Sequence, residues 1–323
     1  MFFLLLSGDM RYPLFIGIIF ASAFFAVSKE YVVLAPLPES FSIKTLAPKN
    51  EAIIVAVGDI MLGRYVEDIS LRNGWNYPFA STTEIFSGAD IVFGNMEGTI
   101  PDEHEKTPNY GWRFSFDKES VKAARHAGVN VVTLANNHST DFGGSGYEET
   151  VSSLTAIGIA SVGKHSDYLY EKNGIKIRFM GWNDTFASLS LKTVSDKILA
   201  SKKENEFLIV AVHFGEEYAT SSTSRQKELA RAMIDAGADV VIGSHPHVVE
   251  EKEIYHGKSI FYSLGNFIFD QYFSEETQKG LAVKMTITGS TVKYEMMPIS
   301  LHKSRPQLDM NAEIQSFSLP RVK

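Results

Sequence analysis

His245 and His247, two residues apart in the segment Gly-Ser-His-Pro-His-Val at 243–248, have the donor type and spacing to hold a metal ion. They follow the apolar run 238–242, which reads as a buried parallel strand. Such a strand delivers its loop to the carboxyl edge of an α/β sheet, where ligands bind. One His-x-His pair is equally compatible with ordinary loop histidines. Its weight comes from four more apolar runs that end in metal-compatible residues: Asp59, Glu97, Asn137 with His138, and His213. Oxygen and imidazole donors without thiolate suit Zn, Mn or Fe. Such a set could hold one ion, or two about 3.5–4 Å apart that activate a water and stabilise in-line displacement at phosphorus.

Each residue has a plainer role open to it. Asp59 is the type that caps a following helix, Glu97 could be a solvated turn carboxylate, and Asn136 or Asn137 could be turn residues in left-handed geometry. His213 could be a satisfied core histidine. His104, His126, His165, His256 and His302 sit in polar or helical surroundings and read as ordinary side chains.

The elements that must position the candidates follow from hydrophobic periodicity. Strands are expected at 52–57, 90–93, 129–134, 175–181, 207–212 and 259–262, each but the fourth ending near a polar or metal-compatible residue. Helices are expected at 119–126, closed by Gly128, at 147–157, and at 224–236, where Leu229, Met233 and Ile234 share a face and Gly237 is the stop. Helix and strand in alternation point to a largely parallel sheet. Two alternating runs, 281–288 and 291–298, predict a hairpin around Gly289-Ser290. Residues 301–323 are polar and read as a loose C-terminal tail.

At 323 residues, with 44% hydrophobic and 21% charged residues, the chain has globular composition and enough length for a full core. A formal net charge of -7 argues against nucleic acid as a partner, since phosphate binding needs basic patches. The absence of cysteine excludes disulfides, thiolate metal sites and a cysteine nucleophile. Residues 1–30 contain an uninterrupted apolar run at 14–27, preceded by Arg11 and followed by Lys29, which reads as an export signal or membrane anchor. Small residues at 26–28 would permit cleavage, but Phe24 and Phe25 favour an uncleaved anchor; Met10 is an alternative start. Residues 31–50, with Pro36, Pro38 and Pro48, read as a linker. The expected location is therefore the cell membrane, through a single N-terminal pass with the domain at 51–300 outside the cytoplasm, or export after cleavage.

Six segments in order carry a family resemblance: GDIMLGR at 58–64, GNMEG at 94–98, LANNHSTDFG at 134–143, VHFGEEY at 212–218, GADVVIGSHPHVV at 237–249 and IFYSLGNFIFDQ at 260–271. Together they resemble the bacterial capsule-synthesis proteins of the CapA, or poly-gamma-glutamate biosynthesis, family, a branch of the calcineurin-like metallophosphoesterases. The resemblance implies an α/β/β/α fold, two packed sheets flanked by helices. It implies that Asp59, Glu97, Asn137, His213, His245 and His247 bind divalent metal, with Glu97 as the bridge. His138 is implied as the proton donor to the leaving group, with Asn137 beside it in catalysis. His213 and His245 would share one ion with Asn137, and His247 would join Asp59 at the other. The departure is Met61, which stands where the superfamily's first motif has a histidine, so the expectation is one ion or two.

Three functions fit these residues. The first is a membrane-anchored component of capsule or poly-gamma-glutamate synthesis or export, with capsule-synthesis membrane subunits as partners and a metal-dependent site acting on the polymer or on a phosphoester. The second is an extracytoplasmic metallophosphoesterase acting on a small or lipid-linked phosphate. The third is a non-catalytic scaffold that binds an anionic polymer through metal and through Arg64, Arg113 or Arg225. Whether the chain is an enzyme is left open at this level.

Overall fold

Two sheets lie face to face, and the alternation of apolar residues along their strands shows why. On the first strand, β1 (Glu51–Ile60), Ala52, Ile54 and Ala56 point one way and Val55 and Val57 the other. The first set packs with Phe207, Ile209 and Ala211 of the second sheet in a central cluster. The second set packs beneath helices, with Val66, Val121, Ala124 and Leu154. The second sheet repeats the arrangement: Leu208, Val210 and Val212 face away from the centre, against Val194, Ile198, Leu229 and Met233. The layers are therefore helix, sheet, sheet, helix. This computed structural model describes residues 50–164 and 166–321.

In chain order, β1 leads to α1 (Arg64–Asn73), β2 (Ile91–Met96), α2 (Lys118–Ala127), β3 (Val129–Thr133), α3 (Gly143–Ala156) and β4 (Ala160–Val162). These strands pair in parallel in the order β1-β2-β3-β4. The second sheet is built from β5 (Tyr168–Lys172), β6 (Ile175–Asn183), β7 (Glu206–His213), β8 (Val240–Ser244), β9 (Lys252–Tyr255) and β10 (Lys258–Phe261), with α4 (Leu191–Ser201) and α5 (Ser224–Asp235) between its strands. β6, β7, β8 and β10 are parallel, while β5 and β9 are antiparallel edges. The chain then returns to the first sheet. β11 (Asn266–Ile268) pairs with β1 in parallel, and β12 (Lys279–Thr288) pairs with β1 antiparallel.

Helix ends follow the local chemistry. Asp117 caps α2, accepting from the Glu119 amide at 2.7 Å, and Gly128 closes it in the left-handed region. Thr223 and Gln226 form a reciprocal capping box on α5.

Two expectations are corrected. The first sheet is mixed rather than largely parallel, because β12 and β13 (Thr291–His302) form the expected hairpin and β12 pairs antiparallel with β1. Residues 301–320 are not a loose tail. β14 (Arg305–Leu308) and β15 (Gln315–Pro320) both pair with β13. Polarity misled because these are edge strands with one face in solvent; on the other, Phe317 stacks on the buried Tyr294 ring at 4.8 Å. The apolar run at 14–27 and all but the last residue of the linker at 31–50 lie outside the described residues. Among the described residues no helix is long and apolar enough to cross a membrane.

Candidate metal centre

Parallel strands deliver their carboxyl ends to one edge, and both sheets do so at the same place. Asp59 stands near the end of β1, Asn95 beside it on β2, Glu97 just beyond β2, Asn136 to His138 after β3, His213 at the end of β7, and His245 and His247 after β8. Two glycines allow the backbones to close in. A Cβ on Gly58 would lie 1.8 Å from the Gly265 carbonyl oxygen, and one on Gly243 would lie 1.9 Å from that of Tyr262. The Asp59 amide thereby reaches the Gly265 carbonyl at 3.0 Å. His245 (φ 102°) and His247 (φ 59°) occupy the left-handed region that side chains avoid, and such strain is held at sites where the surrounding structure over-determines it.

Ligand atoms of Asp59, Glu97 and His213 lie within 4.8 Å of one another, all three residues buried. His247 closes the group: its Nδ1 is 3.2 Å from Asp59 Oδ2 and its Nε2 is 3.6 Å from Glu97 Oε1, ion-pair contacts, while its Nδ1 is also 3.1 Å from Asn266 Oδ1. The His245 ring lies 4.7 Å from the His213 ring. His213 is held at both nitrogens, Nε2 at 2.8 Å from Asn137 Oδ1 and Nδ1 at 2.8 Å from Ser244 Oγ. His138 stands at the rim with Nε2 3.9 Å from Glu97 Oε1 and Nδ1 2.8 Å from Asp141 Oδ2, its ring stacked on Phe114 at 3.9 Å. The structure thus brings all seven sequence candidates to one end of the sandwich. Met61 is fully buried in the apolar cluster, its sulfur accepting from the Gly63 amide at 3.2 Å.

Several contributors went unread in the sequence. Asn95 is central: its amide donates to Asp59 Oδ1 at 2.8 Å and Glu97 Oε2 at 3.2 Å and lies 3.3 Å from His213 Nδ1. Its position two before Glu97 at a strand end was the available signal. Asn136, rather than reaching the cluster, ties the loop down by donating to Asn95 Oδ1 and the Met96 carbonyl. Asp141, three residues after His138 in the turn before α3, was a second missed signal. Beside the centre a cleft of about 550 Å³ opens among the ends of β3, β4 and β6, with Asn136, Ser139, Lys164, Trp182 and Lys197 on its walls. Of the three arginines considered for anion binding, Arg64 pairs with Asp270 and Arg225 with Asp184, while Arg113 is exposed and donates through Nε to the Asp141 carbonyl.

Protonation reflects this crowding. Burial, with Asp59 adding to it, holds the Glu97 carboxyl well above the usual range, against the opposing pull of His247. Burial and the neighbouring imidazoles hold His213 well below its ordinary value, and burial with His247 takes His245 down to about 4. Burial also opposes charge on His247, but the carboxylates of Glu97 and Asp59 outweigh it and push it up to about 9. The cluster therefore binds protons where carboxylate charge is uncompensated, the condition under which a cation displaces them. Asp59 Oδ2 and Glu97 Oε1 are buried with ion-pair contacts to histidine but no well-formed hydrogen bond, and His245 Nδ1 is buried with no hydrogen-bond partner. Buried carboxylate and imidazole atoms without a well-formed hydrogen bond carry a cost that a shared cation removes, so the donor set fits a divalent metal.

The family described as Bacterial capsule synthesis protein PGA_cap matches this chain over residues 53–271. The capsule biosynthesis protein CapA of Bacillus anthracis is 33% identical over 289 residues, covering 80% of this chain and 70% of that protein. The PGA biosynthesis protein CapA of Bacillus subtilis (strain 168) is 34% identical over 272 residues, covering 77% and 72%. Among solved structures, a hypothetical protein from Thermus thermophilus aligns over 83% of this chain and 99% of its own, at 19% identity and a TM-score of 0.49.

Proposed function

Because the chain belongs to the bacterial capsule synthesis family PGA_cap, we propose that it serves capsule or poly-gamma-glutamate synthesis or export through a metal-dependent, metallophosphoesterase-like hydrolytic site. The observation that carries the hydrolytic reading is the convergence of ligand atoms of Asp59, Glu97 and His213, all buried, within 4.8 Å of one another. Asp59, Glu97, Asn137, His213, His245 and His247 hold one or two ions, with Mn, Zn or Fe best suited to these donors. A divalent cation there supplies Lewis-acid polarisation and a lowered pKa for the attacking water.

The remaining work falls to the chain's own side chains. Asn95 fixes the two carboxylates and His213 by donating to or approaching all three. Ser244 on Nδ1 of His213 sets that ring's orientation, as outer-shell partners of ligands do. His138, clamped between Phe114 and Asp141 with Nε2 toward the centre, delivers a proton to the leaving group, and Asp141 at Nδ1 fixes the ring's orientation for delivery. The cleft with Lys164 and Lys197 on its walls seats the anionic substrate. The apolar run at 14–27 holds the protein at the membrane with this domain outside the cytoplasm, where capsule-synthesis membrane subunits meet it. Recovery of the full chain in the membrane fraction, and of a chain beginning at Pro48 in the soluble fraction, is the expected result for that placement.

The enzymatic test uses the full chain, reconstituted with Mn²⁺ or Zn²⁺, and its Asp59→Asn variant. Bound metal is counted by mass spectrometry, and hydrolysis of poly-gamma-glutamate and of a generic phosphodiester is followed. Expected are bound metal in the parent, less of it in the variant through loss of the strand-end metal, and a fall in polymer hydrolysis of about 100-fold or more. Turnover of the phosphodiester alone moves the substrate to a phosphoester. Metal without turnover of either identifies a binding scaffold, and absence of metal from the reconstituted parent would falsify both hydrolytic readings.

A further inference from the structure

We propose that Glu67, His104 and Asp117 form a second divalent-cation site, sharing no residue with the strand-end centre, which ties the loop at 99–117 to helices α1 and α2. One ligand atom from each lies within 4.8 Å of the others. Glu67 points inward from α1 and is only 3% exposed. Its Oε1 is 3.0 Å from His104 Nε2, a separation that two ligands of one small cation share, and its Oε2 is buried with no hydrogen-bond partner. A buried carboxylate oxygen without a donor is costly, and a bound cation removes that cost. The other ring nitrogen of His104 is 2.6 Å from Ser115 Oγ, the outer-shell contact that fixes the orientation of a ligating imidazole. Asp117 caps α2 through Oδ1. His104 and Asp117 are half-buried, so an ion can enter from solvent.

Two carboxylates and one imidazole, completed by water, select Zn²⁺ or Mn²⁺ over Ca²⁺, which asks for more oxygens. The consequence reaches the strand-end centre through the loop itself. Ser115 lies in, and Asp117 directly follows, the segment 114–116 that pairs with Thr99, through Thr99 N to the Phe114 carbonyl at 2.9 Å and Phe116 N to the Thr99 carbonyl at 2.8 Å. Phe114 in that segment is the ring stacked on His138. A cation at Glu67, His104 and Asp117 therefore braces the wall against which His138 packs.

Equilibrium dialysis of the full chain against zinc chloride, with bound zinc counted per chain, tests the site in the parent and in three variants. His104→Gln removes a ligand. Asp117→Asn does so while keeping an equally good helix cap, which guards against a folding defect. Asp59→Asn disturbs only the strand-end centre. Expected is a loss of about one zinc per chain in each of His104→Gln and Asp117→Asn, retention of that zinc in Asp59→Asn, and a smaller zinc-induced rise in melting temperature for Asp117→Asn than for the parent. Equal zinc in the parent, His104→Gln and Asp117→Asn overturns the site and leaves an imidazolium held between two carboxylates. That outcome does not touch the strand-end centre, which the Asp59→Asn comparison reports independently.

Discussion

At the residue scale, the difference between a ligand and its support is a matter of which atoms lack partners. Asp59, Glu97 and His245 each keep one buried polar atom without a hydrogen bond, whereas Asn95, Asn136 and Ser244 spend their hydrogen bonds on the ligands or on the loops that carry them. His138 differs again, with Nδ1 committed to Asp141 and Nε2 toward Glu97. Asp141 Oδ2 also accepts from the Phe114 amide at 2.6 Å, so one carboxylate sets both the proton donor and the ring stacked on it. Asp141→Asn retains the shape but replaces the carboxylate at His138 Nδ1 with a neutral amide. It is expected to lower kcat by about 10- to 100-fold with bound metal unchanged, in single-turnover assays of the reconstituted chain. Loss of metal along with rate would place Asp141 in the support of the ligands instead.

At the element scale, α5 and the loop after β8 are joined by a carboxyl group whose protonation changes near neutrality. Glu250 accepts from Gln226 Nε2 at 2.7 Å, while its Oε1 is buried without a partner. Burial, with Glu251 adding to it, pushes Glu250 up to about 7 against the opposing Gln226 hydrogen bond. An unfolded glutamate titrates at about 4.3, so between these values the folded chain holds the extra proton. This contribution to stability is complete below about pH 4 and is lost as pH rises through about 7. Glu250→Gln removes the titration. In metal-saturated protein, melting temperature followed from pH 5 to 8 is expected to decline less steeply in the variant than in the parent; parallel curves would show that Glu250 ionises freely in the folded state.

At the scale of the whole molecule, the C-terminal strands complete the first sheet. Tyr294 and Val292 on β13 are buried in the central cluster, with Phe317 and Leu319 of β15 packed against it. Ending the chain at Ser300 would remove β14 and β15 and uncover an edge with an apolar face. The expected cost is about 2–4 kcal/mol in urea unfolding, with increased binding of a hydrophobic dye. A truncated chain as stable as the parent would make these strands dispensable.

Strand ends, helix caps and the residues placed at them are local features, because hydrophobic period and capping chemistry act over a few neighbours. They sufficed to place Asp59, Glu97, Asn137, His138, His213, His245 and His247 at strand ends, and Gly128 and Gly237 at the ends of helices. Tertiary structure decided what depends on distant partners. Asn95 matters only once β1, β2 and β7 end together, and Gly58 only because Gly265 approaches within the space a side chain would fill. β14 and β15 are strands because β13 offers an open edge to pair with, and Glu67 faces His104 because the loop at 99–117 folds back over α1. In each case the deciding contact joins residues far apart in the chain, and no local pattern records such a contact before the layers have packed.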